Sequence, residues 1–264
     1  MIFDSLTHVT PDGRWFHTAF DATEDRLVRE MDECGVERAA VVALAGHIPN
    51  DFVLRLCRKR ADRFVPCGSV DPAQYRSAKR AASEFRAQFR DAGFRALKLH
   101  PRLNRYDPLD PRCLAVLEEM ASWKAPLPVW LDTLFYFPGG KLRKPLVDTI
   151  HELVSRFPGL RFVLLHGGGS WVLQVAEAVR DCPNAWLDIS FTAHRYAGSS
   201  VAQDLRFLIS TFDRRLVFGS DFPEVSIAEA LRDFRDLAQG VAREKCDNIL
   251  AGNLDAILRQ GTRP

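Results

Sequence analysis

Eight short runs rich in β-branched and aromatic residues alternate with eight longer stretches of helical period along 264 residues, and no linker rich in Pro, Gly or Ser divides them. Together these observations predict an α/β chain folded as one distorted (β/α)8 TIM barrel over residues 1–264, with extra helices at the C-terminus. The first strand is expected at MIFDS and its helix at TEDRLVREMDECG. RAAVVAL with NDFVLRLCRKRA, RFVPCGSV with QYRSAKRAASEFRAQFRDAG, and FRALKLH with DPRCLAVLEEMASW supply the next three units. LPVWLDT with KPLVDTIHELVSRF, RFVLLH with SWVLQVAEAVRDC, AWLDIS with VAQDLRFLISTF, and RLVFGS with SIAEALRDFRDLAQG complete the set. The longer segments repeat apolar residues every three or four positions, as a helix with one buried side requires. The strands are almost continuously apolar, as expected of a parallel sheet covered by helices. VAREKCDNILAGNLDAILRQ reads as one or two helices closing over the barrel, and TLFYFPGGKLRKP as a long functional loop with Gly139 and Gly140 for mobility.

Apolar residues make up 47% of the chain and charged residues 27%, the balance of a soluble globular protein. No apolar run is long enough for a membrane span. A formal charge of +2, with basic residues scattered along solvated helix faces, argues against a nucleic-acid partner. The start MIFDS lacks the basic and apolar regions of a secretory signal, so a cytoplasmic location is expected. Six cysteines lie without CxxC or finger-like spacing and are expected as buried free thiols.

A parallel barrel carries its chemistry at the carboxyl ends of its strands, and polar residues accumulate there. Asp4 and His8 end the first strand, Lys98 and His100 the fourth, Asp132 the fifth and His166 the sixth. Asp188 and Ser190 end the seventh, and Ser220 and Asp221 the eighth. Barrel closure brings such ends together, so they are expected to converge on one spot. Within FDSLTH, the spacing of Asp4, Leu6 and His8 places all three side chains on one strand face, with a leucine between two groups able to bind a metal or move a proton.

On these segments the chain resembles the amidohydrolase superfamily, specifically the amidohydrolase-2 group that includes aminocarboxymuconate-semialdehyde decarboxylase and related decarboxylases, hydratases and lactonases. The resemblance runs from FDSLTH through GVERAAVVAL, ALKLHP, LPVWLDT, FVLLHGGG and AWLDIS to LVFGSDFP and ILAGNLDAIL, with LVFGSDFP and NILAGN the most specific pieces. Family members hold a divalent metal with an HxH pair on strand one, a histidine on strand five and an aspartate on strand eight, and a strand-six histidine orients the metal-bound water. Residue by residue, His8, His166 and Asp221 match this pattern, whereas Leu6 stands in place of the first histidine and Asp132 in place of the strand-five histidine.

The resemblance therefore implies two kinds of site. In one, His8, Asp132 and Asp221 hold a single divalent ion, zinc, manganese or iron. In the other no metal is needed, as in dicarboxypyrone lactonases: Asp221 acts as general base on water, and His166 or His8 polarises the carbonyl or protonates the leaving oxygen. Lys98, His100, Arg102 and Arg195 are candidate substrate-binding residues, and Arg105, Lys141, Arg143 and Lys144 add positive charge suited to an anionic small molecule. Trp15, Phe16, Phe20, Phe135, Tyr136 and Phe137 are candidate apolar walls. The expected activity is hydrolysis of a small, carboxylated cyclic or acyl substrate, a lactone or amide. Non-oxidative decarboxylation is the alternative, and a barrel retained only for binding is a third. Family members often pair, which makes a homodimer an expected assembly.

Overall fold

The computed structural model describes residues 1–136 and 142–259. All eight expected strands form: β1 Phe3–Thr7, β2 Arg38–Val42, β3 Phe64–Ser69, β4 Ala96–Leu99, β5 Val129–Asp132, β6 Phe162–Leu165, β7 Ala185–Asp188 and β8 Leu216–Val217. They pair in parallel in sequence order from β1 to β8, with each expected helix returning the chain to the start of the next strand. β8 is only two residues long because the chain bends as Phe218 turns its N–H to Ile249 O. The ring closes through irregular contacts instead: Ser5 N to Phe218 O at 3.0 Å, Asp221 N to Leu6 O at 3.0 Å and His8 N to Phe222 O at 2.8 Å. The fold is a TIM barrel, and no described helix is long and apolar enough to cross a membrane.

Strand alternation sorts the core into two layers. Ala39, Val41, Leu97, Leu131 and Leu164 face the helices, and Ala40, Val42, Cys67, Trp130 and Leu165 fill the barrel interior. At the base, Leu254, Ile257 and Leu258 of the closing helix Asn253–Arg259 join the interior cluster and seal it. At the opposite end the inward rows of β4, β5 and β7 finish on Lys98, Asp132 and Asp188, all buried. Trp130 donates its indole N–H to Ser5 O at 2.8 Å, so its polar atom is satisfied within the barrel. All six cysteines are free. Cys57, Cys67 and Cys113 are buried as expected, and Cys34, Cys182 and Cys246 are half-buried.

The first strand departs from simple alternation. Pairing between β1 and β2 shifts between Asp4 and Thr7, and this bulge places both Phe3 and Leu6 in the interior cluster. Leu6 is thus a fully buried packing residue beneath the mouth, not part of the cavity lining, and Asp4 does not share a working face with His8. The Asp4 carboxyl is a fastener: Oδ1 accepts from Leu6 N at 3.1 Å and from Ser220 N at 2.9 Å, tying β1 to the turn after β8, while Oδ2 has no partner.

Burial pushes the Asp4 carboxyl up to about 7, against the opposing pull of its hydrogen bonds to Ser220 and Leu6. The folded state therefore holds a proton that the unfolded chain releases near pH 3.8, and stability falls as pH rises from there to about 7, by on the order of 4 kcal/mol. Asp4→Asn carries no charge, so its stability is expected to be flatter over that window and to exceed the wild type at pH 8. Urea titration at pH 4.5 and pH 8 measures the difference; an equal loss in both proteins removes Asp4 as the cause.

Candidate active site

At the carboxyl end of the barrel a cavity of about 450 Å³ opens to solvent. Its floor holds His8 from β1, Lys98 and His100 from β4, Asp132 from β5, His166 from β6 and Asp221 from β8. Trp15, Phe16, Leu44, Leu103 and Tyr136 form apolar walls, and Arg102, Arg105 and Glu224 bring charge to the rim. A depression of about 550 Å³ lies elsewhere, near Arg95, Arg161 and Leu258. Both of those arginines are already committed to carbonyls of the closing helix, Arg95 to Leu258 O at 3.1 Å and Arg161 to Ile257 O, so that cleft is a structural seam.

Two of the floor residues stand on unusual backbone. His166 has φ +63° and Asp221 φ +67°, in the left-handed region that costs an ordinary residue about 1–3 kcal/mol. Of the six described non-glycine residues with positive φ, four (Phe16, Arg105, His166 and Asp221) line this cavity, so the strain is concentrated where chemistry is expected. His166 is fixed by two contacts: its N–H donates to Asp188 Oδ1 at 3.2 Å and its carbonyl accepts from Thr192 Oγ1 at 2.7 Å; the three glycines that follow all have positive φ. Gly168, at φ +84°, has room for no more, because an added Cβ would lie 2.6 Å from Val175 Cγ2. Gly168→Ala is expected to destabilise the fold by about 1–3 kcal/mol and to displace His166. Its melting temperature and kcat together check this, and a neutral effect on both would refute the constraint.

Hydrogen-bond direction sets the protonation of each imidazole. Ser190 Oγ gives its proton to Asp188 Oδ1, so both Ser190 Oγ and Ser190 O can only accept from His166 Nδ1, at 3.2 and 3.3 Å. On the other side, His166 Nε2 faces Asp132 Oδ2 at 3.3 Å. Both ring nitrogens thus meet acceptors, and although burial alone would lower its pKa, Asp132 and Asp221 outweigh this and raise it. His166 thus holds its second proton more firmly than a free imidazole does.

His100 accepts from Leu103 N at Nδ1, which leaves its proton on Nε2, 3.4 Å from the same Asp132 oxygen. Burial keeps that ring neutral, well below the usual range. His8 donates Nδ1–H to Val42 O at 2.8 Å and stacks on Trp15. Burial and the nearby Lys98 push its pKa down to about 3, so a lone pair stays on Nε2. Burial also works against the charge on Asp132, yet the facing groups of His100, His166 and Lys98 win and hold that carboxyl well below the carboxylate range. Asp221 is the opposite case: burial lifts its pKa to about 6, opposed by His166, and no described group hydrogen-bonds its carboxyl oxygens.

No three His, Cys, Asp or Glu side chains among the described residues are arranged to hold an ion. Leu6 offers no donor, and Asp132 Oδ2, a buried oxygen that accepts no hydrogen bond from the described residues, faces Nε2 of His100 at 3.4 Å and Nε2 of His166 at 3.3 Å.

Of the residues given a candidate catalytic, metal-binding or substrate-binding role from the sequence, the cavity gathers His8, Lys98, His100, Arg102, Arg105, Asp132, His166 and Asp221; Arg195 does not join them. The chain turns sharply at Phe191, φ +58°, and the helix Thr192–Arg195 carries the arginine side chain out to solvent. Among the expected walls, Phe20 is exposed away from the lining and Phe135 is buried against the helices. Arg143 is held by Asp107 and Leu109 and Lys144 by Glu152, while Phe137, Gly139, Gly140 and Lys141 lie outside the described residues. Glu224 was not foreseen: it accepts from Trp15 Nε1 at 2.9 Å and braces the aromatic wall. Its only signal was its place three residues after Asp221, on the same turn.

A strained, polar cup at the carboxyl end of a (β/α)8 barrel defines a TIM-barrel protein of enzyme type. The amidohydrolase family model matches residues 10–257, and the chain belongs to that family. Curated protein sequences give no match. Among solved structures, the chain is similar to an uncharacterized TIM-barrel protein of Bordetella bronchiseptica, at 20% identity and TM-score 0.78 over 99% of each chain. It is also similar to a probable 2-pyrone-4,6-dicarboxylic acid hydrolase of Acinetobacter baumannii solved with citric acid bound, at 16% identity and TM-score 0.68 over 97% of this chain and 98% of that one. A 5-carboxyvanillate decarboxylase of Novosphingobium aromaticivorans, solved with manganese and a nitrobenzoic acid, shows 14% identity and TM-score 0.68 over 98% of this chain and 96% of that one. At such identities these likenesses show a shared fold.

Proposed function

We propose that the protein hydrolyses a small carboxylated cyclic ester, with Asp221 activating water and no resident metal. The observation that carries this reading is Asp221 itself: a buried carboxyl, poised near pH 6 and with no hydrogen bond to its carboxyl oxygens among the described residues, in one cavity with His166, whose pKa is raised. A general base works best when its pKa lies near the working pH. Asp221 takes a proton from water as the oxygen adds to the ester carbonyl, and the neutral Nε2 of His8 accepts a hydrogen bond from the O–H that stays on that oxygen. His166 faces the developing oxyanion with a fixed positive charge. When the ring C–O bond breaks, the proton held by Asp221 passes to the leaving oxygen, and the products are the ring-opened acid and a restored carboxylate. Arg102 and Arg105 suit a substrate carboxylate, and Trp15 and Tyr136 suit the faces of a flat ring.

The likeness to a probable pyrone-dicarboxylate hydrolase supports this choice, since its named substrate class is a carboxylated lactone. The test follows 2-pyrone-4,6-dicarboxylate and simpler carboxylated lactones by loss of ring absorbance, before and after EDTA treatment. Ring opening unaffected by chelation is the expected result. Activity abolished by EDTA and restored by manganese overturns the metal-free mechanism, and carbon dioxide release from 5-carboxyvanillate without any lactone opening overturns the reaction class.

A further inference from the structure

We propose that Lys98 is a nucleophilic amine that forms an imine with small oxo-carboxylic acids entering the cavity, so that this barrel also decarboxylates 3-oxo acids. Among the described lysines it alone is buried, at 1% exposure, and it sits on the inward row of β4 at the cavity floor. Among the described residues no hydrogen bond and no carboxylate within 4.0 Å pairs with its amine, whereas the exposed Lys144 and half-buried Lys245 are paired with Glu152 and Asp213. Burial makes the ammonium costlier than on a surface lysine, so the neutral amine, the form that attacks carbonyl carbon, is more accessible at Lys98 than at the surface lysines. Burial does lower the Lys98 pKa, with Asp132 and Asp221 offsetting part of the effect. A carboxylate on the electrophile suits Arg102 and Arg105, which line the same cavity as Lys98.

The chemistry balances without a cofactor or oxidant. The amine lone pair adds to the keto carbon, the oxygen is protonated and leaves as water, and an iminium remains. The electron pair of the bond to the carboxylate flows into the iminium and releases carbon dioxide. The resulting enamine takes a proton on carbon from the acid form of Asp221, and water then hydrolyses the imine to free the ketone and restore Lys98. Net, a 3-oxo acid anion and one proton give a ketone and carbon dioxide. Ester hydrolysis uses Asp221 and water instead, so this activity does not rest on the lactone reading, and its test does not depend on any lactone being turned over.

Acetoacetate is the probe, incubated with the intact protein in the presence of sodium borohydride, followed by peptide mass mapping and, separately, carbon dioxide assay without reductant. The expected result is one reduced adduct on the peptide containing Lys98, with adduct and carbon dioxide release both lost in Lys98→Arg and in Lys98→Met, whose folding is checked by circular dichroism. No adduct at millimolar acetoacetate, or an adduct spread over Lys59, Lys79 and Lys124 as in urea-unfolded protein, overturns the proposal. Mapping on the wild type alone decides between these results if either variant fails to fold.

Discussion

Asp221→Asn is expected to lower kcat/KM for ring opening by about 10²- to 10⁴-fold, the range typical of a lost general base. The variant is well suited to isolate chemistry from folding. Asparagine tolerates the left-handed backbone that position requires, where Asp221 has φ +67°, and the backbone N–H to Leu6 O bond that closes the ring is unchanged. The pH profile of the wild type provides the companion result. Because burial lifts the Asp221 carboxyl to about 6, the base form disappears below that pH and kcat/KM falls on the acid side with an inflection near 6. The alkaline limb belongs to His166, whose raised pKa keeps the imidazolium to above the ordinary histidine range. Stopped-flow measurement of kcat/KM from pH 4.5 to 9 reads both limbs. An unchanged acid limb in Asp221→Asn, with undiminished rate, would take this residue out of the mechanism.

Asp132→Asn is expected to have the largest effect on the protein as a whole. Asp132 Oδ2 is the counter-charge faced by His166 at 3.3 Å and His100 at 3.4 Å, with Arg102 at 4.0 Å. Removing one partner of a buried charge pair leaves the other uncompensated, at a cost of about 3–5 kcal/mol. Stability is expected to fall by that amount at neutral pH, read by urea unfolding. His166 then loses the acceptor at Nε2 that favours its second proton, so the alkaline limb of the rate profile shifts towards acid while the Asp221 limb stays near 6. A profile identical to the wild type would show that Asp132 does not set the charge of His166.

The large features of this chain were legible because they follow from local pattern. Helical period, near-continuous apolar strands and the regular alternation of the two identify a barrel, and of the strand-end residues expected to converge, His8, Lys98, His100, Asp132, His166 and Asp221 line one cavity, whereas Asp4, Asp188, Ser190 and Ser220 are buried outside its lining. Arg102 joined them because it follows β4 closely, before the chain has room to turn away. Arg195 failed for the converse reason. It lies past a positive-φ turn at Phe191, and residue spacing carries no information about where such a turn aims the next helix.

The sequence by itself determined the ring of strands, the sealed base and the replacement of a family histidine by Leu6, since each depends on residue type and period alone. Only the tertiary structure decided what those residues do. A bulge in β1 moved Leu6 from a supposed working face into the interior, and the carboxylates of Asp132 and Asp221, brought in from other strands, raise the pKa of His166. Closure left Asp221 buried, with no hydrogen bond to its carboxyl oxygens among the described residues. The reason is physical: side-chain period is a one-dimensional property, whereas proton position and desolvation are set by the direction and distance of groups from other strands, which exist as neighbours only after the ring has closed.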